Sequence, residues 1–108
     1  MTDLAYQKGL DAARNRFKTR LTERLNRFRG LVAGNTGAEI ADMRRLLHDL
    51  AGTAPSLGYP EIGSLARELE HKLESAVQAH RPLNGDELAD LAPGFAAFEN
   101  LLTRTISQ

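Results

Sequence analysis

Residues 48–58 read His-Asp-Leu-Ala-Gly-Thr-Ala-Pro-Ser-Leu-Gly, and two features of this run organise everything around it. The first is a histidine followed, one helical turn later, by a glycine. Positions four apart are neighbours on one helix face, and side chains lean toward the N-terminus. A side chain at position 52 would therefore cover the imidazole of His48. Glycine leaves the ring open, at a cost of about 1 kcal/mol relative to alanine in a helix interior. That cost implies that the opening is used, by a visiting protein bringing a group to the ring nitrogen. The second feature is Pro55, which removes a backbone hydrogen bond and clashes with the preceding turn. A kink or an early end between Ala51 and Leu57 follows, with Gly58-Tyr59-Pro60 as the turn into the next helix.

Upstream, the helix that carries His48 begins at Thr36 or Gly37. Thr36 is placed as its N-cap and Glu39, three residues on, completes a capping box. Ile40, Met43, Leu47, Leu50, Ala54 and Leu57 form its apolar stripe, with Leu46 beside it. At about 100° per residue, His48 lies about 120° from the centre of that stripe, at the margin of the core or outside it. Arg44 and Arg45 stand one turn before the histidine, on its flanks. The preceding helix spans about Asp3 to Ala33, with Leu10, Ala13, Phe17, Leu21, Leu25, Phe28, Leu31 and Val32 on one face. Gly9 weakens its start, so a break there, leaving a short extra N-terminal helical segment, is expected. Gly34-Asn35-Thr36-Gly37 ends it, with Gly34 suited to a left-handed cap.

Downstream, a third helix runs from about Pro60 to Ala79, with proline at its first position and Glu61 favourably placed on the helix dipole. Its buried stripe is Ile62, Leu65, Ala66, Leu69, Leu73, Ala76 and Val77. After the loop Arg81-Pro82-Leu83-Asn84-Gly85, Asp86-Glu87 opens a fourth helix. Leu88, Leu91, Phe95, Phe98, Leu101, Leu102 and Ile106 form its stripe, and Pro93-Gly94 predicts a bend or a late start. Four helices and short loops give an all-α fold, an antiparallel up-down four-helix bundle, as a single domain over residues 1–108.

Composition narrows the class. Hydrophobic residues make up 42% and aromatics 6% of the 108 residues, so the core is aliphatic, with four phenylalanines as its large pieces. The absence of cysteine rules out disulfides and thiolate metal sites and fits a reducing cytoplasm. With three scattered histidines besides, no metal site is expected. No charged-then-apolar leader precedes the first helix, and no apolar run approaches the ~20 residues of a membrane span, so a protein without membrane attachment is expected. The net charge is zero, yet residues 1–33 carry +5 and the rest −5. That polarity either pairs the two halves in the fold or steers a charged partner. The basic residues of the first helix are spread around its solvent side without interleaved aromatics, which argues for a solvated face and against nucleic acid as a partner.

The run at 48–58 resembles the phosphorylation motif of histidine-containing phosphotransfer (HPt) domains, roughly H-x-L-K-G-S/T-A/S-x-x-L/F-G. His48, Leu50, Gly52, Thr53, Ala54, Leu57 and Gly58 match, and Glu68-Leu69-Glu70 follows at the family's distance. The family commonly has lysine three residues after the histidine, where this chain has Ala51. The resemblance implies a phosphoryl carrier in a multistep phosphorelay. His48 would take the group from an aspartate of a response-regulator receiver domain, or from a hybrid histidine kinase, and pass it to another receiver. A histidine side chain with its unperturbed pKa, about 6.5, is largely neutral and nucleophilic at pH 7. The resemblance also implies that the receiver brings Mg2+ and its own lysine, and that this chain binds no cofactor.

Glu70 falls where the family places a residue that hydrogen-bonds the histidine ring, holding Nδ1–H and leaving Nε2 as the nucleophile. Arg67, nearly a turn earlier, faces the same region and is a candidate phosphate contact. Helical spacing offers Arg44 or Arg45 as the cation that replaces the usual lysine. Ala41, Ala51, Pro55, Leu57 and Tyr59 are candidates for the apolar patch on which a receiver docks, in a modest and transient interface. There is no G-x-x-x-x-G-K nucleotide loop, so an ATP-dependent kinase is not expected. The helices use nearly the whole chain, and the expectation is a stand-alone cytoplasmic monomer. Ala51 leaves one other reading, a non-phosphorylated helical adaptor that binds a receiver or kinase.

Overall fold

The computed structural model describes residues 2–108. Its elements are α1 (Thr2–Gly34), α2 (Gly37–Thr53), a 3-10 turn (Pro55–Leu57), α3 (Pro60–Lys72), α4 (Glu74–Gln78) and α5 (Gly85–Ile106), with no strand among the described residues. The packing partners of α1 are α2 and α5, and α3 likewise packs on α2 and α5. These four helices close a ring around one aliphatic core, while α4 lies against α2. No helix is long and apolar enough to cross a membrane.

The core follows the stripes. Leu21, Phe28, Ile40, Met43, Leu47, Leu50, Leu69, Phe98 and Leu102 are all within 1% of complete burial. Phe28 holds its centre, edge-on to Phe95 at 5.5 Å and to Phe98 at 5.1 Å. Such offset aromatic contacts add about 0.5–1.5 kcal/mol beyond the area they bury.

Gly9 does not break α1, which runs as 33 continuous helical residues. At about 1.5 Å per residue this is about 50 Å, and the molecule's longest dimension is 55 Å. The first turns protrude past the bundle, and Leu4 and Tyr6 are exposed there. Gly34 is not the left-handed residue. Asn35 takes that conformation, at φ 44°, while Gly34 closes the helix. Asparagine tolerates this region, and here it is held by two bonds to the loop before α5. Its Nδ2 donates to the Leu83 carbonyl at 3.0 Å, and its Oδ1 accepts from the Leu83 N–H at 2.8 Å.

Thr36 caps α2, its hydroxyl oxygen accepting from the Glu39 N–H at 3.1 Å. The reciprocal half of the expected box is missing, because the Glu39 carboxylate lies over Gly34 in space that a Cβ would take. The complete capping box is on α5, between Asn84 and Glu87. It starts that helix at Gly85, earlier than Asp86, and α5 then passes through Pro93-Gly94 without interruption. Pro93 is exposed, so water can satisfy the carbonyl it leaves unpaired. Gly94 gives room to the Leu69 side chain, which would lie 2.8 Å from a Cβ there.

The helix expected over residues 60–79 is divided at Leu73. Its N–H is shared between the carbonyls of Leu69 and Glu70, both at 3.2 Å. This contraction to an i→i+3 bond re-aims α4 onto α2 while Leu73 and Ala76 stay buried. Pro55 acts as its chemistry demands: α2 ends at Thr53 and a 3-10 turn takes over. Gly58, at φ 93°, turns the chain where other residues would be strained. Among the described residues the ion pairs between the oppositely charged halves are both at the surface, Arg27–Asp42 at 3.5 Å and Arg29–Glu99 at 3.6 Å, and add little stability.

Candidate functional site

The site is built where α2 and α3 cross. The buried face of α2 consists of Ile40, Met43, Leu46, Leu47, Leu50 and Ala51, which turns His48 outward by about 130°. Its side chain is 72% exposed. On α3, Ala66 and Leu69 face the core, and Glu70 lies on their flank with its side chain only 16% exposed. The two meet: His48 Nδ1 lies 2.8 Å from Glu70 Oε1. A carboxylate only accepts, so Nδ1 donates to it, and in the neutral ring the lone pair is then on Nε2. The ring is thereby fixed from the protein side and free on the solvent side.

Gly63 makes this crossing close. It is buried on α3, and a Cβ there would collide with Pro55 Cγ and stand 2.8 Å from Pro55 Cδ. The α2 end and α3 approach each other across a missing side chain, and that spacing brings Glu70 within reach of His48. Gly63 went unnoticed in the sequence. Its signal was a glycine beside Ile62 and Ala66 in the amphipathic pattern, where an apolar side chain is the norm. Gly52 is glycine for the opposite reason: a Cβ there would meet nothing within 4 Å.

The structure divides the other candidates. Ala41, Arg44, Arg45 and His48 line one shallow hollow of about 300 Å3 together with Val77. Arg45 is paired with Asp42 at 3.4 Å, whereas Arg44 has no ion-pair partner among the described residues. Val77, on the expected core stripe, packs against the core and keeps a half-exposed side beside the histidine. Arg67 is exposed on α3, nearly a turn before Glu70, and does not line this hollow.

Among the apolar candidates, Ala51 is 4% exposed and belongs to the core, so it has almost no surface to give a partner. Tyr59 is half-buried with its ring stacked on Phe17 at 5.4 Å. The half-buried Leu57 packs on the core, and its carbonyl accepts from Arg14 Nε at 2.9 Å. Pro55 is exposed. Only Ala41 of this set shares the hollow with His48. His71 and His80 are exposed surface residues. Among the described residues no three His, Cys, Asp or Glu side chains gather as metal ligands.

Against known families, the Hpt domain profile matches residues 12–108. The chain belongs to the Hpt domain family. No curated protein and no solved structure matches it. Hpt domains serve phosphotransfer in phosphorelay signalling, as phosphocarriers that interact with receiver domains and histidine kinases. In this Hpt domain the match covers the whole four-helix ring and leaves out only the protruding start of α1.

Proposed function

We propose that His48 is the phosphoacceptor of this Hpt domain, taking a phosphoryl group from a receiver-domain aspartate and giving it to another. The observation that carries this reading is the division of labour on one ring, with Nδ1 bonded to Glu70 at 2.8 Å and the side chain as a whole 72% exposed. In the forward step the Nε2 lone pair attacks phosphorus. The N–P bond forms as the P–O bond to the aspartate breaks, and the carboxylate leaves with the electron pair. The Nδ1 proton stays in its bond to Glu70 and tempers the positive charge that develops on the ring. Transfer to the next aspartate is the same step reversed.

Positioning and nearby positive charge supply most of the catalysis of phosphoryl transfer. The unpaired Arg44 is the best-placed cation to meet the phosphoryl oxygens, with Arg45 beside it; Arg67, on α3 outside the hollow, is a further candidate contact. These arginines take over what a lysine at position 51 would do. The receiver supplies Mg2+, this chain binds no cofactor, and it acts as a carrier and not as an ATP-dependent kinase. We further place it in the cytoplasm as a monomer.

The test is to incubate the chain with a receiver domain charged by labelled acetyl phosphate in Mg2+. Acid-labile, base-stable label on the wild type and none on His48→Ala is the expected result. A stable complex in which the label stays on the receiver and none reaches the wild-type chain would make this an adaptor.

A further inference from the structure

The transfer chemistry leaves a run of charge unexplained. Arg16, Arg20, Arg24 and Arg27 recur on α1 at spacings of four, four and three, a stripe about 16 Å long on one helix face. It faces the groove between α1 and α2, where two hollows lie end to end. One, of about 110 Å3, is lined by Arg16, Arg20 and Arg24 with Phe17, Thr53 and Leu57 among its walls. The next, of about 280 Å3, is lined by Arg24, Arg27, Asp42, Arg45, Leu46 and Asp49. Arg24 belongs to both, and Arg45 belongs to the second and to the hollow of His48. Linked at each step by a shared arginine, the three hollows form a series across the outer face of α2, a track whose last member is the hollow of His48.

Most of the charge that α1 brings to it is uncompensated. Arg27 and Arg45 both pair with Asp42, at 3.5 and 3.4 Å. Arg16, Arg20 and Arg24 have no ion-pair partner among the described residues. In a chain with no net charge this is a local excess.

We infer that the track is a docking strip for an acidic edge of the receiver domain, which it holds so that the phosphoaspartate faces His48. This rests on His48 as the phosphoacceptor and adds how the partner is captured. A partner that binds Mg2+ beside an aspartate holds the ion with carboxylates, so the rim of its site is negative, and the phosphoryl group makes it more so. Asp42 and Asp49 favour a protein over a nucleic acid. They stand within the track, where a phosphate backbone would be driven against them, while a protein rim of mixed charge can answer both signs. Charge at an interface rim acts mainly on the association rate and on its salt dependence, and steering of this kind raises association rates by about 10- to 1,000-fold.

The experiment uses the full chain with Arg16→Gln, Arg20→Gln and Arg24→Gln together, since glutamine preserves helix propensity. Three probes are applied to it and to the wild type: a receiver domain charged by acetyl phosphate in Mg2+; phosphoramidate, a small donor that needs no docking; and a short duplex DNA. The second-order rate of transfer from the receiver is expected to fall about tenfold or more at low salt. The difference should close near 1 M salt, where the screening length is about 3 Å. Labelling by phosphoramidate is expected to be unchanged. An unchanged receiver rate at low salt, with normal phosphoramidate labelling, removes the docking strip alone. Failure of both the charged receiver and phosphoramidate to label wild-type His48 removes the phosphoacceptor reading and the strip with it. Salt-dependent duplex binding by the wild type that the triple variant loses, with receiver transfer unaffected, assigns the track to nucleic acid and overturns the inference.

Discussion

Replacing Gly52 separates stability from transfer in opposite directions. The residue lies within α2 and is exposed, and a Cβ added to it would meet nothing within 4 Å. Alanine therefore introduces no clash, and it removes backbone freedom from the unfolded chain. In a helix interior that gain is about 0.8–1 kcal/mol. One residue from the end of α2 it is better set at about 0.5–1 kcal/mol, a rise in Tm of about 2–8 °C for a domain of this size. Glutamine gains nearly as much, because its helix propensity is close to that of alanine. Its side chain, however, leans back along the helix onto the turn that carries His48, where the receiver must seat its aspartate. Displacing a reacting group by about 1 Å costs on the order of 100-fold in rate, and Gly52→Gln is expected to lose transfer on that scale. Gly52→Ala, with one methyl group, should lose far less. Thermal melts followed by circular dichroism, together with transfer time courses from a charged receiver, read both quantities on the same samples. A Gly52→Gln protein that is more stable and transfers at the wild-type rate would refute the steric reasoning. A Gly52→Ala protein that melts lower would refute the reading of open space above the helix.

Glu70→Ala should slow phosphoryl uptake by about 10- to 100-fold, the range seen when partners that orient functional histidines are removed. Glu70→Gln, whose amide oxygen still accepts from Nδ1, should recover most of that loss in the same assay. Arg44→Ala is expected to slow uptake more than Arg45→Ala, since Arg45 is engaged with Asp42 and Arg44 is unpaired; equal wild-type rates in both would dismiss the two as phosphate contacts. Gly63→Ala should lower Tm, because overpacking against Pro55 costs about 1–3 kcal/mol while the helix gains at most about 1 kcal/mol. It should also weaken transfer by displacing Glu70, which a nitrogen-15 spectrum of the imidazole would register. At the far end of the bundle, bonds from Arg81 and from the Asn84 N–H hold the Glu87 carboxyl down to about 2 from its usual 4.5. Its stabilising contribution is present above about pH 4.5 and is lost as pH falls toward 2. The Tm difference between wild type and Glu87→Gln should therefore shrink over that interval.

The main features of the site were legible in residues 48–70 because they depend on one helical period and one proline. The stripe of α2 puts His48 outside the core whatever the other helices do, and Pro55 ends the helix by local chemistry alone. What escaped depended on contacts distant in sequence. The stripe through Leu69, Leu73 and Ala76 continues across the α3–α4 break, so periodicity carries no sign of it. Asn35 and Leu83 are 48 residues apart, and nothing local shows that the left-handed position falls on Asn35 and not on Gly34. Ala51 shows the same blindness. Its place on the His48 turn made it a candidate contact, but the close approach of α3 buries it.

The bond between Nδ1 and Glu70 has a further consequence on the proposed reading. Because the proton is anchored on the interior side, the ring picks up and hands on its cargo without needing a separate base in either direction. A carrier of this kind adds no bias of its own. The net flow is then dictated by which partner arrives charged and which arrives empty, so the traffic is governed by the abundance and turnover of the receivers, and this protein behaves as a reversible exchange point between them.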